Sequence, residues 1–577
     1  MNHIIIILLL FVSPSLIHSV IVTTPSGKIE GRIVQHNGTD VLQFLGVPYA
    51  KPPIGDLMLE KTQPVEPWPN TLNATTYGAA CHQRIANWDK GAAKRKMSLD
   101  CLLLNIFVPK AITANSSRAI MLFIHGGSYM HGTGNSFDGS LLAITGDVII
   151  VSINYRLDVF GFMSTGDDVI PGNYGLWDQR QAVLWVKANI AAFGGDKSKI
   201  TLFGESAGSY SIGMHMISPH NTGLFQRVIS ESGIAVSPIG LTYDHVSYAK
   251  SVSNSLNCSN TTGGWNPSYF KNCFKNRTIT DILQASLNAA NFGYLAYRRV
   301  IGPVVDGDFL VESPLQSLHR DDVPFKNVDL MVGTNSAEGG LILGPLGAYE
   351  KEYNFHLANG IPRNIFRDHI ATAIVRDYYF GWEWALDKIM DVYSKDGISD
   401  MDQAREAVDM YGDFILQTPS VQTLQYHSNM NTSKNTFQYY FTHCPEHQMT
   451  YAWFQGANHG DELTFVFGPT LSYKNVSLSE IQFSEIVRRY WTNFAKYGNP
   501  NGESENIWWS FNTTTGHYMD LNIQPTSGQH LLRDRVNLWM NELPYIDIAE
   551  PFSSSPSTTC NIMLNIVIVG ATFLSRA

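Results

Sequence analysis

Apolar and polar residues alternate from Ile21 to Pro53 (IVTTPSGKIEGRIVQHNGTDVLQFLGVPYAKPP), with Gly and Pro breaks. This pattern predicts antiparallel strands joined by turns. Strand-like runs follow at Ala119–His125 (AIMLFIH) and Val148–Asn154 (VIIVSIN). Short β-rich runs occur at 199–203 (KITLF) and 328–332 (VDLMV). The stretch 178–193 (DQRQAVLWVKANIAAF) repeats its apolar residues at helical spacing. Strands alternating with helices predict a large, mostly parallel sheet with helices on both faces. Residues 349–418 read as mainly helical and are expected to pack beside or over that sheet.

The two ends differ from the middle. The run Ile4–Val12 is apolar but too short to cross a bilayer, so residues 1–19 read as a cleaved signal peptide. Residues 551–577 begin with small residues and end in the apolar run Ile562–Leu574. That is the outline of a GPI-attachment signal, with membrane attachment as its consequence. The competing reading is a simple packed or unstructured tail.

The chain has 577 residues and 44% hydrophobic content, enough for a large core, and a formal net charge of −10. That charge argues against nucleic acid as a partner. Sequons at Asn37, Asn73, Asn115, Asn257, Asn260, Asn276, Asn431, Asn475 and Asn512 suit an exported glycoprotein. Cysteines stand at 81, 101, 258, 273, 444 and 560 without CxxC spacing, so a metal or redox site is not expected. Cys81 with Cys101, and Cys258 with Cys273, are spaced as loop-closing disulfides would be.

The chemistry concentrates in a few motifs. Gly204-Glu205-Ser206-Ala207-Gly208 matches G-x-S-x-G between a β-rich run and a helix-like stretch. That context suits a nucleophile elbow, which needs small residues around an exposed serine. His125-Gly126-Gly127 closes an earlier strand. Gly126, Gly127 and Ala207 could then offer three backbone N–H donors to an oxyanion, each worth roughly 3–4 kcal/mol. A serine nucleophile needs a base and an orienting acid, in the order Ser, Asp/Glu, His. Glu338 lies on a loop after VDLMV, and His459 on a Gly-bounded loop ahead of the strand-like LTFVFG (463–468). His427, His443, His447 and Asp306 compete for these roles on position alone.

The motifs GESAGS (204–209), HGG (125–127), SLDCLLLNIFVP (98–109), NYRLDVFGF (154–162), GNYGLWDQ (172–179), FGGD (193–196), GTNSAEG (333–339) and NHGDELTFVFG (458–468) stand in one order. Together they resemble the type-B carboxylesterase and cholinesterase family. The resemblance runs from about Val20 to Pro544, so one α/β-hydrolase domain is expected over residues 20–550. It implies Ser206, Glu338 and His459 as a triad, Gly126, Gly127 and Ala207 as the oxyanion hole, and the two short disulfides. It also implies that Glu205 supports the site together with Ser232.

Departures from the family pattern matter. Leu99 stands where a glutamate is usual, which predicts changed packing near Arg156. Val536 replaces a cysteine, leaving Cys444 and Cys560 to pair or stay apart. Trp88 is displaced from the position of a choline-binding indole, and LAYRRVIGPVVDG (295–307) lacks the aromatic pair of a choline-ester acyl pocket. A general carboxylesterase acting on small-molecule or lipid-like esters, without metal or cofactor, is therefore expected over a cholinesterase or a lipase. The rival class is a catalytically silent adhesion protein of the same fold, which typically lacks triad residues.

Overall fold

The computed structural model describes residues 19–543, except 37, 85–95, 111, 114–115, 260–263, 290–297, 431–432, 446–450, 469–475 and 503–506. The signal-peptide run, the C-terminal tail, Trp88, His447, Cys560 and the sequons Asn37, Asn115, Asn260, Asn431 and Asn475 lie outside the described residues.

The alternating N-terminal stretch forms β1 (Ser19–Thr24), β2 (Gly27–His36) and β3 (Thr39–Pro48), paired antiparallel. Three two-residue strands follow: β4 (Leu72–Asn73), β5 (Ala80–Cys81) and β6 (Met97–Ser98). The strand-like runs become β7 (Leu103–Pro109), β8 (Arg118–Ile124), β9 (Ile149–Ile153) and β10 (Gly195–Glu205). The sheet continues through β11 (Arg227–Glu231), β12 (Asp329–Asn335), β13 (Thr436–Phe441), β14 (His517–Leu521) and β15 (Thr526–Gln529). Its order is β1-β2-β3-β7-β9-β8-β10-β11-β12-β13-β14-β15, with β4 added to β2. The block from β9 to β14 is parallel, as the expected α/β-hydrolase fold requires.

Both faces of that block are covered, and β8 shows why its residues after Arg118 are apolar on both sides. Ile120, Leu122 and Ile124 enter one core, while Met121 and Phe123 enter another on the opposite face. The second core is sealed by the helix Leu478–Tyr497, which contributes Phe483, Val487, Tyr490, Trp491 and Phe494 at helical spacing. A Ser477–Glu480 capping box starts this helix, and Gly498 ends it at φ 70°.

Residues 349–418 are mainly helical, as their pattern predicts. LTFVFG is not a strand. Residues Asp461–Phe467 form a helix that buries Phe465, Val466 and Phe467 in the second core. Three-dimensional packing overrides local β propensity here.

Both short disulfides are formed, Cys81–Cys101 and Cys258–Cys273. Cys444 is a half-buried free thiol. Arg156 pairs with Asp178 through its Nε at 2.8 Å and its Nη2 at 2.8 Å, so the cation is neutralised without a glutamate at position 99. Leu99 instead packs, partly buried, against the main core.

Candidate active site

β10 delivers Ser206 at the carboxyl end of the sheet, and the helix Ala207–Ile217 begins immediately after it. The turn between them is strained, with Ser206 at φ 54° and ψ −123°. Such a conformation persists only when its surroundings impose it. Here Ser206 N–H donates to Glu231 O at 3.0 Å, and Tyr210 N–H donates to Ser206 O at 2.8 Å. Small neighbours are obligatory. A Cβ on Gly204 or Gly208 would lie 2.4 or 1.9 Å from Ile124 O.

β8 ends at Ile124, so Gly126 and Gly127 come up beside the serine. A Cβ on Gly126 would sit 2.9 Å from Ser206 Cβ and 2.6 Å from Glu205 Oε2. Gly127 has φ 106°, and its Cβ would lie 2.2 Å from His131 O. Among the described residues, no turn, loop or cap bond uses the N–H of Gly126, Gly127 or Ala207. Ala207 N–H at a helix N-terminus, and the Gly126 and Gly127 N–H groups in the loop after β8, are thus without a backbone partner, and donors of this kind suit an anionic oxygen.

Glu338 and His459 come together from distant loops. Ala337 N–H donates to Ala457 O at 2.8 Å, and Asn335 Nδ2 donates to Asn458 O at 2.7 Å, stitching the two loops. Glu338 Oε1 accepts from Asn335 N–H at 2.7 Å, and Oε2 accepts from His459 Nδ1 at 2.6 Å. The helix Asp400–Gly412 backs the acid loop. A side chain on Gly339 would collide with Val408 O at 1.8 Å. His427 instead bridges Thr436 Oγ1 and Val328 O, and His443 faces Glu480. Asp306 accepts from the Asp308 and Leu310 N–H groups and also interacts with the Asn173 side chain, so it serves a turn rather than the imidazole.

The other imidazole nitrogen does not meet Ser206. His459 Nε2 lies 3.0 Å from Glu205 Oε1, close enough for an ion pair but without hydrogen-bond alignment. No hydrogen bond joins Glu205 to Ser232, whose buried hydroxyl has no partner among the described residues. Burial opposes charging of His459, but Glu205 and Glu338 outweigh it and lift the imidazole to about 9. Burial pushes Glu205 up to about 7, an effect His459 reduces and Glu338 reinforces.

Behind the site lies a carboxylate cluster that sequence reasoning missed. Burial raises Glu231 to about 8 although Trp491 Nε1 donates to it at 3.1 Å, and Glu462 is raised well above its ordinary value. Glu231 Oε2, Glu462 Oε1 and Tyr439 Oη have no hydrogen-bond partner among the described residues. The available signals were adjacency alone, Glu231 before Ser232-Gly233 and Glu462 three residues after His459.

Among the described residues, no cluster of His, Cys, Asp or Glu could hold a metal ion. None of the described helices is long and apolar enough to cross a membrane. A cavity of about 500 Å³ lined by Gln425, Gln438, Phe511, His530 and Arg533 contains none of the residues above.

The model of the carboxylesterase family matches residues 18–539. The chain belongs to the carboxylesterase family. Within it, the chain is 32% identical to carboxylesterase 1F of Mus musculus, over 91% of this chain and 94% of that protein. It is 32% identical to acetylcholinesterase 1 of Caenorhabditis elegans, over 90% and 88%. It is also 30% identical to neuroligin-2 of Mus musculus, over 91% and 68%. Two of these relatives bear an esterase name and one does not, so family membership leaves activity to be argued from the site.

Proposed function

We propose that this protein is a secreted serine carboxylesterase that cleaves carboxylic esters through an acyl-enzyme on Ser206. The observation that carries the reading is the convergence of a strained serine turn, three unused backbone donors and a buried Glu338–His459 pair. With Nε2 turned onto Ser206, His459 takes the hydroxyl proton as Oγ bonds to the ester carbonyl carbon. The carbonyl electron pair moves to oxygen, which accepts from Gly126, Gly127 and Ala207 N–H. Glu338 holds the Nδ1–H tautomer and stabilises the imidazolium. The imidazolium then protonates the departing alkoxide as the C–O bond breaks. Water repeats the sequence on the acyl-enzyme and releases the acid. Glu205 counterbalances the imidazolium from the other side.

The second reading is a non-catalytic binding protein of the same fold. The neuroligin-2 similarity and the Glu205-facing His459 favour it. Hydrolysis of short- and medium-chain nitrophenyl esters by secreted protein, beside Ser206→Ala, separates the two. Turnover abolished by the substitution supports the esterase. A folded wild type no faster than Ser206→Ala refutes it.

A further inference from the structure

We infer that Arg299 is a positioning residue for the oxyanion donors, bracing both segments that carry them. The inference rests on the ester-hydrolysis reading. After Gly126 the backbone runs through three consecutive left-handed residues, Gly127 at φ 106°, Ser128 at 57° and Tyr129 at 61°. L-residues avoid this region, and two in succession need external restraint. The direction of the Gly126 and Gly127 N–H groups depends on holding this turn.

The restraints are specific. Gly127 O accepts from Met130 and His131 N–H, and Tyr129 O accepts from Asp158 N–H at 2.7 Å. Ser128 O, the carbonyl directly after the donor glycines, accepts from Arg299 Nη1 at 3.1 Å. Arg299 Nε donates to Ile239 O at 2.9 Å. The guanidinium carbon lies 5.0 Å from the Tyr129 ring and 5.5 Å from the Tyr210 ring. Tyr129 belongs to the glycine turn, and Tyr210 to the helix that begins with Ala207. One planar cation therefore ties the Gly126–Gly127 segment to the Ala207 segment.

Two further facts favour this role over a generic ion pair. The half-buried Arg299 guanidinium makes no salt bridge to a described carboxylate and is held instead by two backbone carbonyls and two rings. Gly302 leaves the corridor that the side chain occupies. A Cβ there would lie 2.5 Å from Arg299 Cδ and 3.2 Å from Tyr129 Cδ2. Lysine carries its three donors on one compact, non-planar ammonium nitrogen, which cannot reach both carbonyls while stacking on two rings.

The test compares wild type, Arg299→Ala, Arg299→Lys and Arg299→Met on nitrophenyl butyrate. It also measures inhibition by a trifluoromethyl ketone, whose adduct places an oxyanion in the hole. Arg299→Met retains the apolar stem and guards against simple unfolding. Each folded variant is expected to lose about 10- to 100-fold in kcat with KM within about threefold. Trifluoromethyl ketone affinity should fall by the same factor as kcat/KM. Millimolar guanidinium should partly restore Arg299→Ala. Variants with wild-type kcat, or with lost kcat but unchanged ketone affinity, overturn the inference. Failure of both Arg299→Ala and Arg299→Met to fold also overturns it, by making Arg299 a structural residue. A wild type without turnover sinks the esterase reading itself, a distinguishable result.

Discussion

Replacing Glu205 by Gln removes one of the two anions that hold the His459 imidazolium. The carboxylate oxygen lies 3.0 Å from Nε2, and both side chains are about nine-tenths buried. At an effective dielectric of about 20, unit charges at this distance interact by roughly 5 kcal/mol. Burial of the imidazole opposes that attraction, and the balance is a histidine lifted to about 9. Glu205, at about 7, is mostly ionised over the range in which His459 titrates. Each pH unit corresponds to about 1.4 kcal/mol, so an attraction of that size is worth about 3–4 pH units, and losing this partner is expected to lower the histidine midpoint by up to that amount. The sign is fixed: removing an anion destabilises the protonated base, so neutral imidazole appears at lower pH. The assay is the pH dependence of kcat/KM on a nitrophenyl ester, whose limb reports the free enzyme's base. Glu205→Gln should move that limb to lower pH and reduce the high-pH plateau, because Glu205 also stabilises the transition-state imidazolium. An unchanged limb, or one moved to higher pH, would refute the ion-pair argument.

Three other outcomes follow from particular contacts. Gly126→Ala should cut kcat by about 100-fold or more in secreted, folded protein, since its Cβ meets Ser206 Cβ at 2.9 Å and displaces a donor; steady-state kinetics and circular dichroism together check this. Glu231→Gln should stabilise the fold at alkaline pH. In the folded protein a carboxyl raised to about 8 stays neutral up to about that pH, while the unfolded chain ionises from 4.5, so the destabilisation builds up between these values and is complete above 8. Thermal melts should therefore show a higher Tm for this variant at pH 9 and little change at pH 5. Replacing Cys258 and Cys273 by Ser should cost about 3 kcal/mol in denaturant unfolding while leaving turnover intact, because that loop is remote in sequence from the Ser206 and His459 segments.

The chain's linear pattern determined a great deal. Runs such as AIMLFIH and VIIVSIN are apolar at most positions because both faces of β8 and β9 are buried, so the parallel block was legible. The elbow and the glycine pair were legible because their chemistry is local: a sharp turn and close backbone approach demand small residues at fixed spacing. Glu338 and His459 needed the family resemblance as well, since a Gly-bounded loop around His459 favours it over His427 without deciding between them. The helix at LTFVFG was misread as a strand, because its residues carry β propensity and only packing against Phe441 and Phe483 decides the matter. The tertiary structure alone decided which groups meet across more than a hundred residues: Glu338 with His459, Arg299 with Ser128, Glu231 with Trp491. It also decided the charge state of the site. A pKa depends on burial and on neighbouring charges in space, and neither the Glu205–His459 contact nor the carboxylates behind it leaves a periodic trace along the chain.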